Sequence, residues 1–431
     1  MNKKITPLIV LFVGIIIGFF FYSKKAHIIT NIFEELKFNL SKEEILVKNQ
    51  KIEENLKKGI YKFNNKNYSY KEFSLEESGF KFSKDLDAKP IGYLDVHNNR
   101  IILVAYDGTI YSSNKIEEIK NGKLILNKIS EPDSNLRIDP NDEMSYRNIK
   151  IRDILINNDT VYIVSNRSQL KDDGNYYGSI EVLKGEIKYD KEKIKLSKFF
   201  YTDEEFYKFD DWSHTGGRLI NIENGNFLLS VADFKLEYPE LVEKVSSNQS
   251  IAGKTILINE DNHEVFSKGH RNIQGLFYDK NNQVIFSSEH GPTGGDEINI
   301  ISRGENYGWP KSSYGTLGYE FEGHPRKHKK YGFKEPLYYW WPYNCAPSEI
   351  TMVNKDFNSN WNNSILVSCL SGNHLNGQSL VRFAFDKKNF QLSRKEQFYI
   401  GDRIRDLKYL EKNKVLILLL ESKKSLALIF E

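Results

Sequence analysis

Two cysteines in 431 residues, Cys345 and Cys369, leave no CxxC and no clustered Cys and His of the kind that binds zinc. In an oxidising compartment they could pair; each also sits in an apolar context that suits a buried free thiol. No GxGxxG follows a predicted strand and no strand–helix alternation runs through the chain, which argues against a Rossmann site for NAD or FAD. Net charge is only +3, from 61 basic and 58 acidic residues. That balance lacks the clustered basic face needed for nucleic acid, so no nucleic-acid partner is expected. Neither a paired-carboxylate nor a Ser–His pattern marks a hydrolase.

Aromatic residues, by contrast, are plentiful. With 25 Tyr and 27 Phe the composition suits a strand-rich protein with a sizeable core. The N-terminus holds the clearest location signal. After Met1-Asn2-Lys3-Lys4, residues 5–22 carry no charge. As a helix this run would span roughly 27 Å, near the hydrocarbon thickness of a bilayer. Ser23-Lys24-Lys25 follow it, without a small-residue cleavage site, so residues 1–25 are expected to remain as a transmembrane signal anchor. Residues 26–75 read as a helical connector. Ser41-Lys42-Glu43-Glu44 is a capping-box pattern, Ile45, Ile52 and Leu56 follow at helical spacing, and Gly59 would end the helix.

Beyond the connector, one pattern recurs: polar turn residues, then a short apolar strand. Asn98-Asn99 precedes 101–105, Asn158-Asp159 precedes 161–165, and Asn224-Gly225 precedes 227–231. Asn281-Asn282 precedes 284–288, Asn362-Asn363 precedes 365–368, and Lys412-Asn413 precedes 415–420. Ile151-Arg152-Asp153-Ile154 and Ile404-Arg405-Asp406-Leu407 look like the same strand in two repeats. Six such units predict an all-β fold, a six-bladed propeller over residues 76–431.

The most informative stretch is 269–310, where Glu289-His290-Gly291-Pro292 and Gly294-Gly295-Asp296-Glu297 follow the strand at 284–288. Glycine lets the backbone approach a ligand closely, and carbonyl oxygens beside Asp and Glu suit a hard cation such as Ca²⁺. A tight surface turn would explain any one of these dipeptides but not the whole string.

The strings GHRNIQGL, SSEHGPTGGDEIN and GENYGWP together resemble the signature of the soluble quinoprotein glucose/sorbosone dehydrogenases. The resemblance implies a six-bladed propeller that binds pyrroloquinoline quinone (PQQ) and Ca²⁺ and oxidises aldose sugars. It implies a periplasmic domain held at the inner membrane by the anchor, passing electrons to a respiratory acceptor. A sugar hydroxyl gives up a proton and a hydride, so such a site needs a base, positive charge and a hydride-accepting cofactor.

On the matching positions, the resemblance makes His214, in HTGGRL, the catalytic base and Asp233 a sugar contact. It makes Arg271 and Asn272 the residues that hold the quinone oxygens, Arg271 also stabilising charge on the reduced cofactor. Arg403 and Arg405 resemble the pair that binds the PQQ carboxylates. Alternate residues of a strand face one side, so both guanidiniums can reach one anion. The carbonyls of Gly291 and Pro292 match ligands of the cofactor-bridging Ca²⁺, and Glu297 with Tyr307 match a second, structural Ca²⁺ site. Tyr339 and Trp340 look like the aromatic wall of the sugar site, although such a pair in a propeller can equally be core. Two positions depart from the pattern. Ser371 stands where the family has a PQQ-binding lysine, and Arg147-Asn148 stand near the place of a glutamine. These departures keep open a rival reading, a non-catalytic propeller binding a glycan or protein ligand on the same face.

Overall fold

The computed structural model describes residues 55–63, 66–80, 91–131, 151–189, 193–208, 214–316, 328–341, 344–361, 363–370 and 377–431. The expected anchor, most of the connector, Arg147-Asn148 and Ser371 lie outside them. Among the described residues no helix is long and apolar enough to cross a membrane.

The unit Asn55–Glu431 contains six antiparallel sheets, one per blade. Their first strands are Gly92–His97, Ile151–Asn157, Gly216–Asn221, Ile273–Asp279, Pro347–Val353 and Ile404–Leu410. Each first strand packs on the next and the sixth returns to the first, closing a ring around an axis. The six apolar runs read from the sequence are the second strands of the six blades: Arg100–Ala105, Thr160–Leu170, Phe227–Val231, Val284–Glu289, Ser364–Cys369 and Val415–Leu420. Such strands lie between two neighbouring sheets and bury both faces. A continuous apolar run such as VLILLL, buried at every position, is what that placement demands. The turns before them follow from Asn chemistry. His97 pairs with Arg100 across Asn98-Asn99, both at positive φ, the backbone that a two-residue hairpin requires.

The two IRD segments occupy equivalent positions, each opening a first strand and each carrying a β-bulge between its first and third residues. The bulge turns the following aspartate toward its neighbours. Asp153 accepts from Leu219 N (2.9 Å) and Asp406 from Leu94 N (2.9 Å), so each carboxylate ties its blade to the next.

The connector needs correction. A helical turn at 55–57 does close with Gly59 at positive φ, but Ile60–Phe63 and Lys66–Ser74 are strands. The second of these pairs with Ser425–Phe430, from Ser69 opposite Phe430 to Ser74 opposite Ser425. The N-terminal segment thus supplies the fourth strand of blade six and locks the ring. Alternation is the physical reason: Tyr68 and Tyr70 turn inward and are buried while Asn67, Ser69 and Lys71 face the other way and keep solvent contact.

Candidate active site

In an antiparallel blade the first strand begins at the end where the second strand finishes. Residues just before first strands and just after second strands therefore meet at one end of the propeller. His214, Arg271-Asn272, Cys345-Ala346 and Arg403 precede first strands; Asp233, His290 and Glu421 follow second strands. The expected residues converge there for that reason.

His214 Nδ1 lies 3.2 Å from Asp233 Oδ1. A carboxylate only accepts, so Nδ1 carries the proton and Nε2 keeps a lone pair. Asp233 is itself fixed, accepting from Trp309 Nε1 (3.0 Å) and Lys235 N (3.0 Å). Burial pushes the Asp233 carboxyl up, but the His214 hydrogen bond and the Arg271 charge overcome it and hold it below its ordinary value. Burial, with lesser help from Arg271 and Lys235, holds the His214 imidazole below its ordinary value against the pull of Asp233. The pair is thus a neutral imidazole on an ionised carboxylate.

Arg271 lies 5.4 Å from the Trp309 ring and donates from Nη1 to the carbonyls of Gly291 (2.7 Å) and His290 (3.3 Å). Its backbone N–H donates to Glu289, whose other oxygen takes His270 Nδ1 at 3.1 Å. Among the described residues its guanidinium forms no ion pair, and burial lowers its pKa against the field of Asp233, Asp296 and Glu289. Asn272 is buried, and its Oδ1 accepts from Gln274 Nε2 (2.8 Å), two residues on. His290 donates from Nε2 to Pro347 O (2.8 Å); burial, with Arg271 and His214 nearby, pushes its imidazole down to about 3.

The two arginines expected to share one anion do so, and that anion belongs to the protein. Glu421, buried at the end of Val415–Leu420, takes Arg403 Nε at 2.8 Å and Arg405 Nε at 2.9 Å. Arg405 Nη2 adds a third contact at 3.2 Å.

The glycine loop folds tightly around Asp296, which accepts from Gly291 N (3.0 Å), Cys345 N (2.8 Å) and Ala346 N (2.7 Å). A Cβ on Gly291 would meet Gly294 O at 2.3 Å, so glycine is required there. Cys345 and Cys369 form a disulfide, Cα atoms 5.2 Å apart, which decides between the two alternatives left by the sequence.

Gly291, Pro292, Glu297 and Tyr307 all line one small cavity with Arg271, Trp309 and His328. Glu297 is occupied, its Oε1 by His328 Nε2 at 2.9 Å and its Oε2 by Asn299 Nδ2 at 3.2 Å. The Tyr307 hydroxyl turns into its own loop, donating to Ile300 O at 2.5 Å. Among the described residues no three His, Cys, Asp or Glu converge as a metal site, so a cation here would lean on backbone carbonyls.

The expected aromatic wall divides. Tyr339 is 39% exposed and stacks on Tyr314, ring centroids 3.8 Å apart, whereas Trp340 is 2% exposed and packs edge-on against Phe383 and Tyr338. Strand alternation separates them, and Trp340 is core between blades four and five. Sequence reasoning assigned no role to Trp309, His290, Glu421 or Arg218. The first, second and fourth stand inside the quoted strings, NYGWP, SEHGP and HTGGRL. Glu421 has no local signal, because only the fold brings it to the arginines.

Residues 120–428 match the family described as glucose/sorbosone dehydrogenase. Over 188 residues the chain is 28% identical to the aldose sugar dehydrogenase of Escherichia coli K12, covering 41% of this chain and 50% of that protein. The chain spans about half the length of the curated relatives it matches. Its fold is that of a glucose dehydrogenase crystal structure (TM-score 0.62, 19% identity, 79% of this chain and 96% of that one). It is also that of the PQQ-bound aldose sugar dehydrogenase of Streptomyces coelicolor (TM-score 0.55, 16% identity, 84% and 98%). With the family match extending from blade one through blade six, the chain belongs to the glucose/sorbosone dehydrogenase family.

Proposed function

We propose that this protein oxidises an aldose-type sugar to its lactone with PQQ and Ca²⁺. The observation that carries the reading is the neutral His214 on ionised Asp233 beside Arg271, a half-buried cation that donates only to carbonyls among the described residues. A half-buried guanidinium without a carboxylate partner has electrostatic capacity for an external anion, and its fork suits carboxylate or quinone oxygens. The donors fit the cofactor at Arg271, toward the quinone oxygens, and at the Gly291 carbonyl, with a second lone pair, toward Ca²⁺, whereas Arg403 and Arg405 would reach its carboxylates only by sharing with Glu421. Bound PQQ would supply the hydride acceptor. His214 Nε2 would take the sugar hydroxyl proton, Asp233 would hold the ring and favour the imidazolium that forms, and Trp309 would keep Asp233 in place. Tyr339 would offer a flat face to the sugar.

Titration of the full chain with PQQ in Ca²⁺, followed by dye-linked sugar oxidation, tests this. Saturable Ca²⁺-dependent binding and activity abolished in His214→Ala are expected. Absence of binding at micromolar PQQ would favour the rival reading, a propeller that recognises a glycan or protein without oxidising it. Glu421 on both arginines is the feature that favours that rival. The disulfide supports placement outside the cytoplasm; the uncharged run at residues 5–22 would be the anchor, and a respiratory chain would take the electrons. Labelling intact cells with an impermeant amine reagent checks this placement: surface lysines left unlabelled would overturn it.

A further inference from the structure

The propeller axis holds one arginine that no step above uses. Arg218, 3% exposed, is the second-last residue of the HTGGRL string and lies on the first strand of blade three. Its guanidinium touches all the other blades. Nε donates to Gln274 O at 2.6 Å in blade four. Nη2 donates to Ser348 O (2.9 Å) in blade five and Arg405 O (3.2 Å) in blade six. Nη1 faces Asp153 (3.1 Å) of blade two, Glu349 (3.1 Å) of blade five and Asp406 (3.4 Å) of blade six. The plane lies over the Tyr93 ring of blade one, 4.8 Å from its centroid.

The carbonyls are the informative partners. Gln274 comes two residues after Asn272 and three after Arg271; Ser348 follows Pro347, which receives His290; Arg405 is itself a site arginine. His214 is four residues before Arg218 on the same chain segment. One side chain thus fixes, from below, the starts of the four first strands that carry the candidate site. A planar fork spreads five donors over three nitrogens and so reaches carbonyls of three strands together with the carboxylates; an ammonium has three donors on one atom.

We infer that Arg218 is the positioning residue of the site, setting the spacing between His214–Asp233, Arg271 and Arg405. Its PQQ arm rests on the function proposed above; its ligand-free arm does not. The test compares full-length wild type, Arg218→Lys and Leu428→Ala, the last a cavity variant in the core between blades six and one. Arg218→Lys should weaken PQQ binding by about tenfold or more, as expected when a site is displaced by a fraction of an ångström. Leu428→Ala, at an equal or larger drop in Tm, should bind as wild type does. In parallel, the His214 ring is titrated by NMR without ligand. Its pKa should move in Arg218→Lys, because the strand start bearing Arg271 is released, and should stay in Leu428→Ala. If wild type binds PQQ and Arg218→Lys binds it equally well, the inference is overturned. If wild type does not bind, the quinoprotein reading fails, and the NMR titration alone decides. A His214 pKa unmoved in Arg218→Lys, or moved equally in Leu428→Ala, would overturn the inference.

Discussion

Asp233 stands between His214 and Trp309, taking Nδ1 of the first at 3.2 Å and Nε1 of the second at 3.0 Å. The carboxylate therefore does two things to the imidazole: it fixes the ring and it raises the pKa that burial lowers. Asp233→Asn removes the charge while keeping the size. Turnover should fall by about 10²–10⁴-fold, the usual worth of a positioned general base. The acid limb of kcat/KM should also move. His214 works as the neutral ring, so the rate falls as pH drops through its pKa. Losing the group that raises that pKa shifts the limb to lower pH. A limb that stays put, or moves up, would count against the His214–Asp233 pair.

Glu421 gives the second prediction. It lies between Arg403 and Arg405, and two cations share one carboxylate whose pKa those arginines hold low against burial. Glu421→Gln should expose more positive charge to an incoming anion. A unit charge several ångströms away at the effective dielectric of such sites is worth on the order of tenfold in affinity after screening. PQQ should bind tighter by that factor in fluorescence titration, with a lower Tm because both arginines lose the carboxylate charge they share. Weaker binding would mean that Glu421 serves to aim the arginines rather than to neutralise them.

What the sequence disclosed, and what it hid, divides along chain distance. The six turn–strand units were legible because each is written locally: Asn98-Asn99 sets its hairpin and VLILLL its burial on both faces. His214, Arg271 and Gly291 were legible because each stands in a compact string. Glu421 was not, since its meeting with Arg403 and Arg405 is a cross-strand event 16 to 18 residues away. The strand Lys66–Ser74 was hidden for a similar reason. Its polar composition suits an outer strand, and its partner Ser425–Phe430 lies at the other end of the chain. Arg218 was in plain view, yet its role needs six blades to define it.

Tyr339 and Trp340 should behave oppositely. Trp340→Ala empties a core position and should cost about 3–5 kcal/mol of stability. Tyr339→Ala removes a ring already 39% exposed, so Tm should barely change while KM for the sugar rises a few-fold. Denaturant unfolding and steady-state kinetics separate the two. An unchanged KM in Tyr339→Ala would remove that ring from the sugar site.

The carboxylates around Arg218 predict a pH dependence of stability. Burial pushes the Glu349 carboxyl up to about 8, the Arg218 charge opposing it and Asp406 reinforcing it. Its ordinary value is 4.5, so between these limits the native state holds a proton that the unfolded chain has released. By linkage, stability is then lost as pH rises, with a slope of up to about 1.4 kcal/mol per pH unit from this one group. Below pH 6.5 the effect is partly masked. His290, held down to about 3, binds its proton only on unfolding, so it contributes stability that falls as the solution is acidified. Above pH 7 the buried Lys254, held down to about 7 by burial, adds stability as pH rises, so Glu349 is isolated by the difference between wild type and a variant lacking its carboxyl. From about pH 6.5 to 8 the stability of wild type relative to Glu349→Gln, which keeps a neutral side chain of the same size facing Arg218, should fall in denaturant unfolding. A difference between wild type and Glu349→Gln that is flat or rises from pH 6.5 to 8 would mean that Glu349 is already ionised against Arg218 at neutral pH.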